Sequence, residues 1–587
     1  MLRLRKKKKE EIYDYVINRF KRLKQVRDIY DLKVKDWVKQ YNSIVDIESE
    51  TLSNIIVPYI WIQANTIKPR ITASIFNTEE YLEITSKIKE YSSHERIIRD
   101  YLLYKLNDTN FREKIRVCIN LALIYPAAWT KVVLNKNNDP IISIVDFFNV
   151  WCSFTYENGR DDIFHRIETN MHNLKKYESE GIYENVDETE ESLIDTEIPQ
   201  LQAEIAGYFL GLDKHVIIEP QQYQQKGALQ KAEILEWWGK YDINDDGFLE
   251  DIIVSIKNRK KGIRIDNNTY EGQAPLFPIR IIRNQKLIYG KVVAQVLESQ
   301  QNELNTLRRQ RIDFNNLILR APLKARRTAD IDWEDLFIAP DKIWKMDDPN
   351  DVVPIQFPNI PQTGYMEETY DKQDMQQAVG AVDPLMGMSP GGRQTATGMT
   401  ILTSEGATRM KDYVIDVSED IMKLTNFIIY VLKKFKKEKK EVISRLNIQK
   451  WDELTKDDLK EKYTIKTNIT NVITNTDLRI QLLINLLNIG GKIPGVNVAE
   501  FFRQILNLAE VKSVDKILSP EEKEIEKDIV TQRNIEAEEN RKKELKKTGI
   551  ESPETKILGG GLEPIVPGLG TVIKNPILEA IKGMGGK

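Results

Sequence analysis

From Met410 to Phe435 apolar residues return every three or four positions without a break, at Met410, Val414, Val417, Ile421, Leu424, Ile428, Val431 and Phe435. A seam with that spacing belongs to a helix that packs along its whole length. The helical pattern around it runs from Thr395 to about Lys440, and at 1.5 Å per residue such a helix spans on the order of 65 Å. Ser404-Glu-Gly406 is the expected bend point.

Two further stretches carry the helical period. Glu10 to Tyr41 repeats Ile12, Val16, Phe20, Leu23, Val26, Tyr30 and Leu32 among many charges, which predicts a long amphipathic helix. Gly290 to Leu319 repeats Val293, Leu297, Gln300, Leu304, Leu307, Arg311, Phe314 and Ile318, a seam that is only partly apolar. Shorter helices are expected at Tyr365 to Val379, Leu478 to Ile489 and Val498 to Leu508. Asn54 to Ile62 and Arg116 to Trp129 supply dense apolar segments for a mixed core. Strand signals lie nearby. Thr130 to Leu134 and Ile141 to Val145 flank a turn at Asn138-Asp-Pro140, and Glu233 to Trp238 and Leu249 to Ile256 flank Asp242-Ile-Asn-Asp-Asp-Gly247. Both read as hairpins. An acidic linker, Glu178 to Glu197, separates them, and Pro322 to Pro361, rich in Pro and Asp, reads as a non-helical insertion. The expectation is an α+β chain, predominantly helical, and its 587 residues suffice for two to four structural regions.

The 86 basic and 89 acidic side chains nearly cancel, whereas a tight nucleic-acid binder carries a basic surplus. Two cysteines, Cys118 and Cys152, form no CxxC pair and point to buried thiols in a reducing compartment. Met1 to Lys9 has no apolar signal-peptide core, and no stretch has the roughly 18 uncharged apolar residues of a membrane span. A soluble protein is expected.

Motifs that suggest chemistry fail at the residues chemistry needs. Gly387-Met-Ser-Pro-Gly-Gly392 has the glycine spacing of a phosphate-binding loop, yet Arg393 and Gln394 stand where the Lys and the Ser/Thr belong. Asp242, Asn244, Asp246 and Gly247 match half of a calcium loop, but the twelfth position is Ile253 in place of a bidentate Glu. His94, His165, His172 and His215 have no metal-ligand spacing. No catalytic, metal or cofactor site is expected. The basic runs Lys6 to Lys9, Arg308 to Arg311, Lys324 to Arg327 and Lys433 to Lys437 read as solvated faces, and those between Arg308 and Arg327 bracket the start of the non-helical insertion.

Gln295-Val-Leu-Glu-Ser-Gln-Gln-Asn-Glu-Leu-Asn305 with Arg309-Gln-Arg-Ile-Asp313 is similar to the Gln/Asn-rich stem helix of tailed-bacteriophage portal proteins. Val379-Gly-Ala-Val-Asp-Pro-Leu-Met-Gly387, followed by Thr395-Ala-Thr-Gly398 and Ala407-Thr-Arg409, is similar to that family's stem exit, channel loop and long helix. The order of parts from Glu10 to Leu508 most resembles portals of short-tailed phages. The resemblance implies a portal fold of wing, stem, clip and crown. Residues 1–289 would be the wing, 290–319 the first stem helix, 320–358 the clip and 359–382 the second stem helix. The tunnel loop would be 383–394, the kinked wing helix 395–440 and the crown 441–518. Residues 519–587 would hold a charged helix, where some members build a helical barrel, and a Gly-rich tail.

The same resemblance implies a non-enzymatic subunit of a closed, mostly twelvefold ring, placed at one capsid vertex of the virion after assembly in the host cytoplasm. Double-stranded DNA would pass through transiently and without sequence preference. The major capsid protein, the large terminase subunit and tail adaptor or neck proteins would be partners, and no membrane would be involved. Met386, Gly387, Met388, Ser389, Gly391, Gly392, Arg393 and Gln394 would form the channel constriction, with Arg393 the foremost DNA-facing charge. Arg308, Arg309, Arg311, Arg320, Lys324, Arg326 and Arg327 would be clip and stem basic residues that meet the terminase, the adaptor or DNA. Two other readings remain open on the residues alone: a coiled-coil scaffold without a channel, and a nucleotide-driven packaging motor.

Overall fold

The computed structural model describes residues 4–44, 53–76, 81–86, 92–135, 139–153, 162–186, 197–211, 230–319, 321–328, 350–357, 363–381, 396–435, 441–444, 451–454 and 463–467, with single positions at 348, 484 and 505. In chain order these form α1 (Lys6–Tyr41), α2 (Tyr59–Phe76), β1 (Leu82–Ser86), α3 (Ser92–Asp108), α4 (Phe111–Ile124), β2 (Ala128–Leu134), β3 (Pro140–Val145), β4 (Val150–Cys152), β5 (Ile163–Asn170), α5 (Met171–Ser179) and α6 (Glu197–Phe209). There follow β6 (Lys231–Tyr241), β7 (Glu250–Lys257), β8 (Lys261–Asn267), β9 (Leu276–Ile279), α7 (Val293–Leu319), β10 (Leu323–Ala325), β11 (Val352–Pro354), α8 (Thr363–Val379), α9 (Ala396–Phe435), β12 (Glu441–Ser444), β13 (Trp451–Leu454) and β14 (Tyr463–Thr467). All belong to one unit, Met1–Lys512. A second, Ser513–Lys587, lies outside the described residues with the charged helix and Gly-rich tail.

The alternation of apolar and polar residues in the two hairpins does what it predicts. Strands β2 and β3 pair antiparallel from Trp129↔Val145 to Leu134↔Pro140, and β9, some 130 residues on, adds to the other edge of β2. A five-stranded antiparallel sheet runs β4-β5-β6-β7-β8. At the β6–β7 turn the Asp242 carboxylate accepts from the Asp246 and Gly247 amides, at 3.2 and 2.9 Å. Gly247 sits at φ +87°, where a side chain would be strained. Asp242 is therefore committed to closing a hairpin, and the strands on either side replace the helices a calcium loop requires.

Helix α1 corrects the expected face in its second half. Ile12, Val16 and Phe20 are buried as the period requires, but Val26 and Leu32 are exposed and the inward positions are Arg27, Asp31, Val34, Trp37 and Val38. The reason is a fully buried arginine. Arg27 bonds Asp31 at 2.6 Å, the Val150 and Phe147 carbonyls at 2.9 and 3.1 Å, and the Tyr289 hydroxyl at 2.5 Å, and it lies 3.9 Å over the Phe147 ring. An apolar-period reading skips a charge, yet this one has its donors met by fixed acceptors.

The long seam is an inward face. Met410, Val414, Val417, Ile421, Leu424, Ile428 and Val431 are all at most 3% exposed, and α9 continues as helix through Ser404-Glu-Gly406. It is clamped to the segment after β9 by charge. Arg280 donates to both Asp420 oxygens, at 3.0 and 2.7 Å, and Arg283 donates to Asp420 at 2.6 Å and also pairs with Glu419. The start of the expected linker is part of the fold, because Tyr183 and Val186 pack into a small core with Met171, Leu174 and Ile234, and 187–196 lie outside the described residues. The predicted helices at 478–489 and 498–508 lie outside the described residues apart from helical positions Ile484 and Ile505.

Candidate functional site

Helices α7 and α8 form an antiparallel arm, and its direction follows from three contact levels. Gln301 lies against the start of α2, where the Tyr59 hydroxyl accepts from Gln376 at 2.9 Å. Further along α7, Arg308 and Arg311 reach Glu368. Past them, Phe314 meets Phe357 just before α8 begins. Residue numbers rise on one helix as they fall on the other.

The base of the arm is fixed by amide side chains spaced one helical turn apart. Gln301 Oε1 accepts from the Ile60 amide at 3.2 Å while Nε2 donates to the Val57 carbonyl at 2.8 Å. Asn305 Oδ1 accepts from the Val57 amide at 3.0 Å and from Gln301 at 2.9 Å. Arg309 Nε donates to the Ile55 carbonyl at 3.0 Å. Positions 301, 305 and 309 thus bond backbone groups at the entry to α2, among them the Ile60 amide, which has no acceptor within the helix. Full burial on α7 ends with Asn305, and from Thr306 onward no residue is fully buried.

Glu368 holds the middle of the arm. It takes Arg311 at 2.7 Å, Lys372 at 2.8 Å and also Arg308. Partial burial opposes its ionisation, but the Lys372 and Arg308 cations hold the carboxyl below the usual range. Arg311 also lies 4.5 Å over the Tyr365 ring. One turn along, Asp371 is pushed upward by partial burial and by Glu303, Asp374, Glu367 and Glu368. The arm carries an acidic edge beside its three-cation knot.

The structure distributes the sequence-predicted residues unevenly. Arg308 and Arg311 serve the helix pair and Arg309 serves its base. Arg326 pairs with Asp348 and Asp351, each at 3.2 Å, bracing the two-stranded β10–β11 ladder. Lys324 and Arg327 are exposed, with no partner among the described residues. Arg320 and the whole segment Met386, Gly387, Met388, Ser389, Gly391, Gly392, Arg393 and Gln394 lie outside the described residues. Its flanks are described: α8 stops at Val379, where Gly380 at φ +76° donates back to the Gln376 carbonyl at 2.8 Å, and α9 begins at Ala396.

Sequence reasoning missed Glu368, Gln301 and Asn305. The i, i+4 spacing of Gln301, Asn305 and Arg309 was the available signal, since it puts an amide-rich stripe on one face. For Glu368 the sequence offered only its i, i+4 spacing to Lys372, because its partners on α7, Arg308 and Arg311, are some 60 residues away.

Cys118 and Cys152 are buried free thiols, pushed by burial to about 12 and about 11. Among the described residues no group of three His, Cys, Asp or Glu side chains is placed to hold a metal ion, and no helix is long and apolar enough to cross a membrane.

Residues 155–546 match the family described as phage SU10 portal protein. No curated protein matches the chain.

Proposed function

This chain belongs to the phage SU10 portal protein family, and we propose on that premise that its copies close into a ring whose central channel conducts double-stranded DNA during packaging and ejection. The observation that carries the reading is the α7–α8 arm. It is anchored by Gln301, Asn305 and Arg309 at one end, knotted by Glu368 in the middle, and has no fully buried residue on α7 beyond Asn305. Within a ring, such arms would stand side by side as the stem.

In this reading residues 1–289 are the wing, 320–358 the clip that docks the terminase and later the tail adaptor, and 395–440 the long wing helix. The crown is 441–518, and 519–587 hold the charged helix and the Gly-rich tail. Residues 386–394 form the constriction, with Arg393 toward DNA. A channel must hold phosphates weakly, because each neutralised phosphate releases counterions and adds affinity without sequence preference. The near balance of 86 basic and 89 acidic residues suits passage better than capture. The role is structural, with the capsid and tail as neighbours.

Negative-stain imaging of the purified chain tests this directly. Annular particles with a central hole are expected, and an ATPase assay is expected to find no turnover. Rods or filaments would establish the scaffold reading instead, and nucleotide hydrolysis would establish a motor.

A further inference from the structure

The β6–β7 turn presents two large apolar side chains to water: Phe248 is 76% exposed and Leu249 is 64% exposed. Nothing about the turn is loose. Asp242 takes the Asp246 and Gly247 amides, Asp246 takes the Phe248 amide at 2.8 Å, and Glu250 takes the Ile243 amide at 2.8 Å. The Lys8 ammonium holds Asp245 at 2.6 Å. A turn fixed this firmly has already lost the freedom that binding would otherwise cost it. Its apolar tip is rimmed by carboxylates.

A second exposed apolar feature has the opposite rim. On the outer face of α1, Val26, Ile29 and Leu32 are 55%, 73% and 61% exposed, at helical spacing. Arg22 and Lys33 share that face and are exposed, with the single acidic Asp36 at its far end, although Lys33 has a distant ion pair with Glu298 at 3.7 Å. The two features cannot meet within one subunit. Lys8 fixes the turn at the start of α1, and Ile29 lies 21 residues further along, about 30 Å away at 1.5 Å per residue.

We infer that the Phe248–Leu249 tip of one copy seats on the Val26–Ile29–Leu32 stripe of the next, with Asp242 and Asp246 facing Arg22 and Lys33. The contact is heterologous, joining two different faces of identical subunits, which is the kind that generates rings. This inference rests on the ring reading and assigns that ring a specific subunit contact.

Cysteine cross-linking tests it in the full chain. The native thiols at Cys118 and Cys152 are buried, so an introduced pair reports alone. Under mild oxidation Phe248→Cys/Ile29→Cys is expected to give a ladder of covalent oligomers, while either single substitution stays mostly monomeric on a denaturing gel. Imaging the same preparation under reducing conditions verifies that the variant folds and assembles. Rings without a ladder would overturn this contact and leave the ring reading intact. Wild-type protein that forms no ring would overturn both. Strong dimer formation by Ile29→Cys alone would place two stripes against each other and overturn the heterologous arrangement.

Discussion

Several single residues carry more than their sequence positions advertise, and the most telling is His165. It lies between Lys131 Nζ, 3.1 Å from its Nδ1, and the buried Glu236, which Lys131 also bonds at 2.6 Å. Burial and the Lys131 ammonium lower the imidazole to about 4. Glu236 is held well below the usual carboxylate range: burial opposes its ionisation, but Lys131 and His165 more than offset it. Because the folded His165 pKa lies below its unfolded value of about 6.5, the unfolded chain binds more protons between about pH 6.5 and 4. Stability must therefore fall as pH drops through that window, by a few kcal/mol at most in order of magnitude, and Glu236 adds a further loss once pH passes below the unfolded carboxylate range. Urea midpoints measured from pH 7.5 to 4.5 should decline, and His165→Gln should flatten the upper part of the curve. A wild-type midpoint constant across that range would contradict the assignment. Asp420 is a second such residue. At 1% exposure it serves both Arg280 and Arg283; Arg283 keeps Glu419, but Asp420→Ala takes from the buried Arg280 guanidinium the carboxylate it bonds with two nitrogens and should cost about 3–5 kcal/mol, read as a lowered unfolding midpoint.

At the scale of elements, the long helices show what periodicity can and cannot say. The α9 seam is legible because apolar residues meet a deep apolar core at each turn, and every seam position with a described side chain is buried. In α7 the period puts Gln300 on the seam, whereas the buried amides are Gln301 and Asn305. The hydrogen-bonding needs of the α2 entry, not apolar burial, decide that face. The α7–α8 pairing likewise depends on Glu368, whose cationic partners Arg308 and Arg311 come from far along the chain. Glu368→Gln keeps the shape and removes the charge, so it should loosen the arm without unfolding the body. Amide hydrogen exchange is expected to accelerate several-fold across 306–319 and 363–372 while β5, β6 and β7 keep their protection. Equal acceleration everywhere would show that the knot supports the whole unit.

For the molecule as a whole, the functional proposal makes the segment between α8 and α9 the narrowest part of a channel. Arg393→Ala should then lower the DNA retained per particle several-fold while ring formation is unchanged, as measured by DNA content of purified particles. Unaltered packaging and retention would remove Arg393 from that role. By itself the sequence determined the α+β class, both hairpins, the helical stretches at α1, α7, α8 and α9, and the family, since these depend on local periodicity, turn chemistry and the order of segments. It could not determine the placement of β9 beside β2, the pairing of β1 with β14, or the burial of Arg27 under Tyr289. Those join residues more than a hundred positions apart. A strand edge or a buried charge is satisfied by whichever partner the closed chain brings within hydrogen-bonding distance, and only the tertiary structure selects that partner.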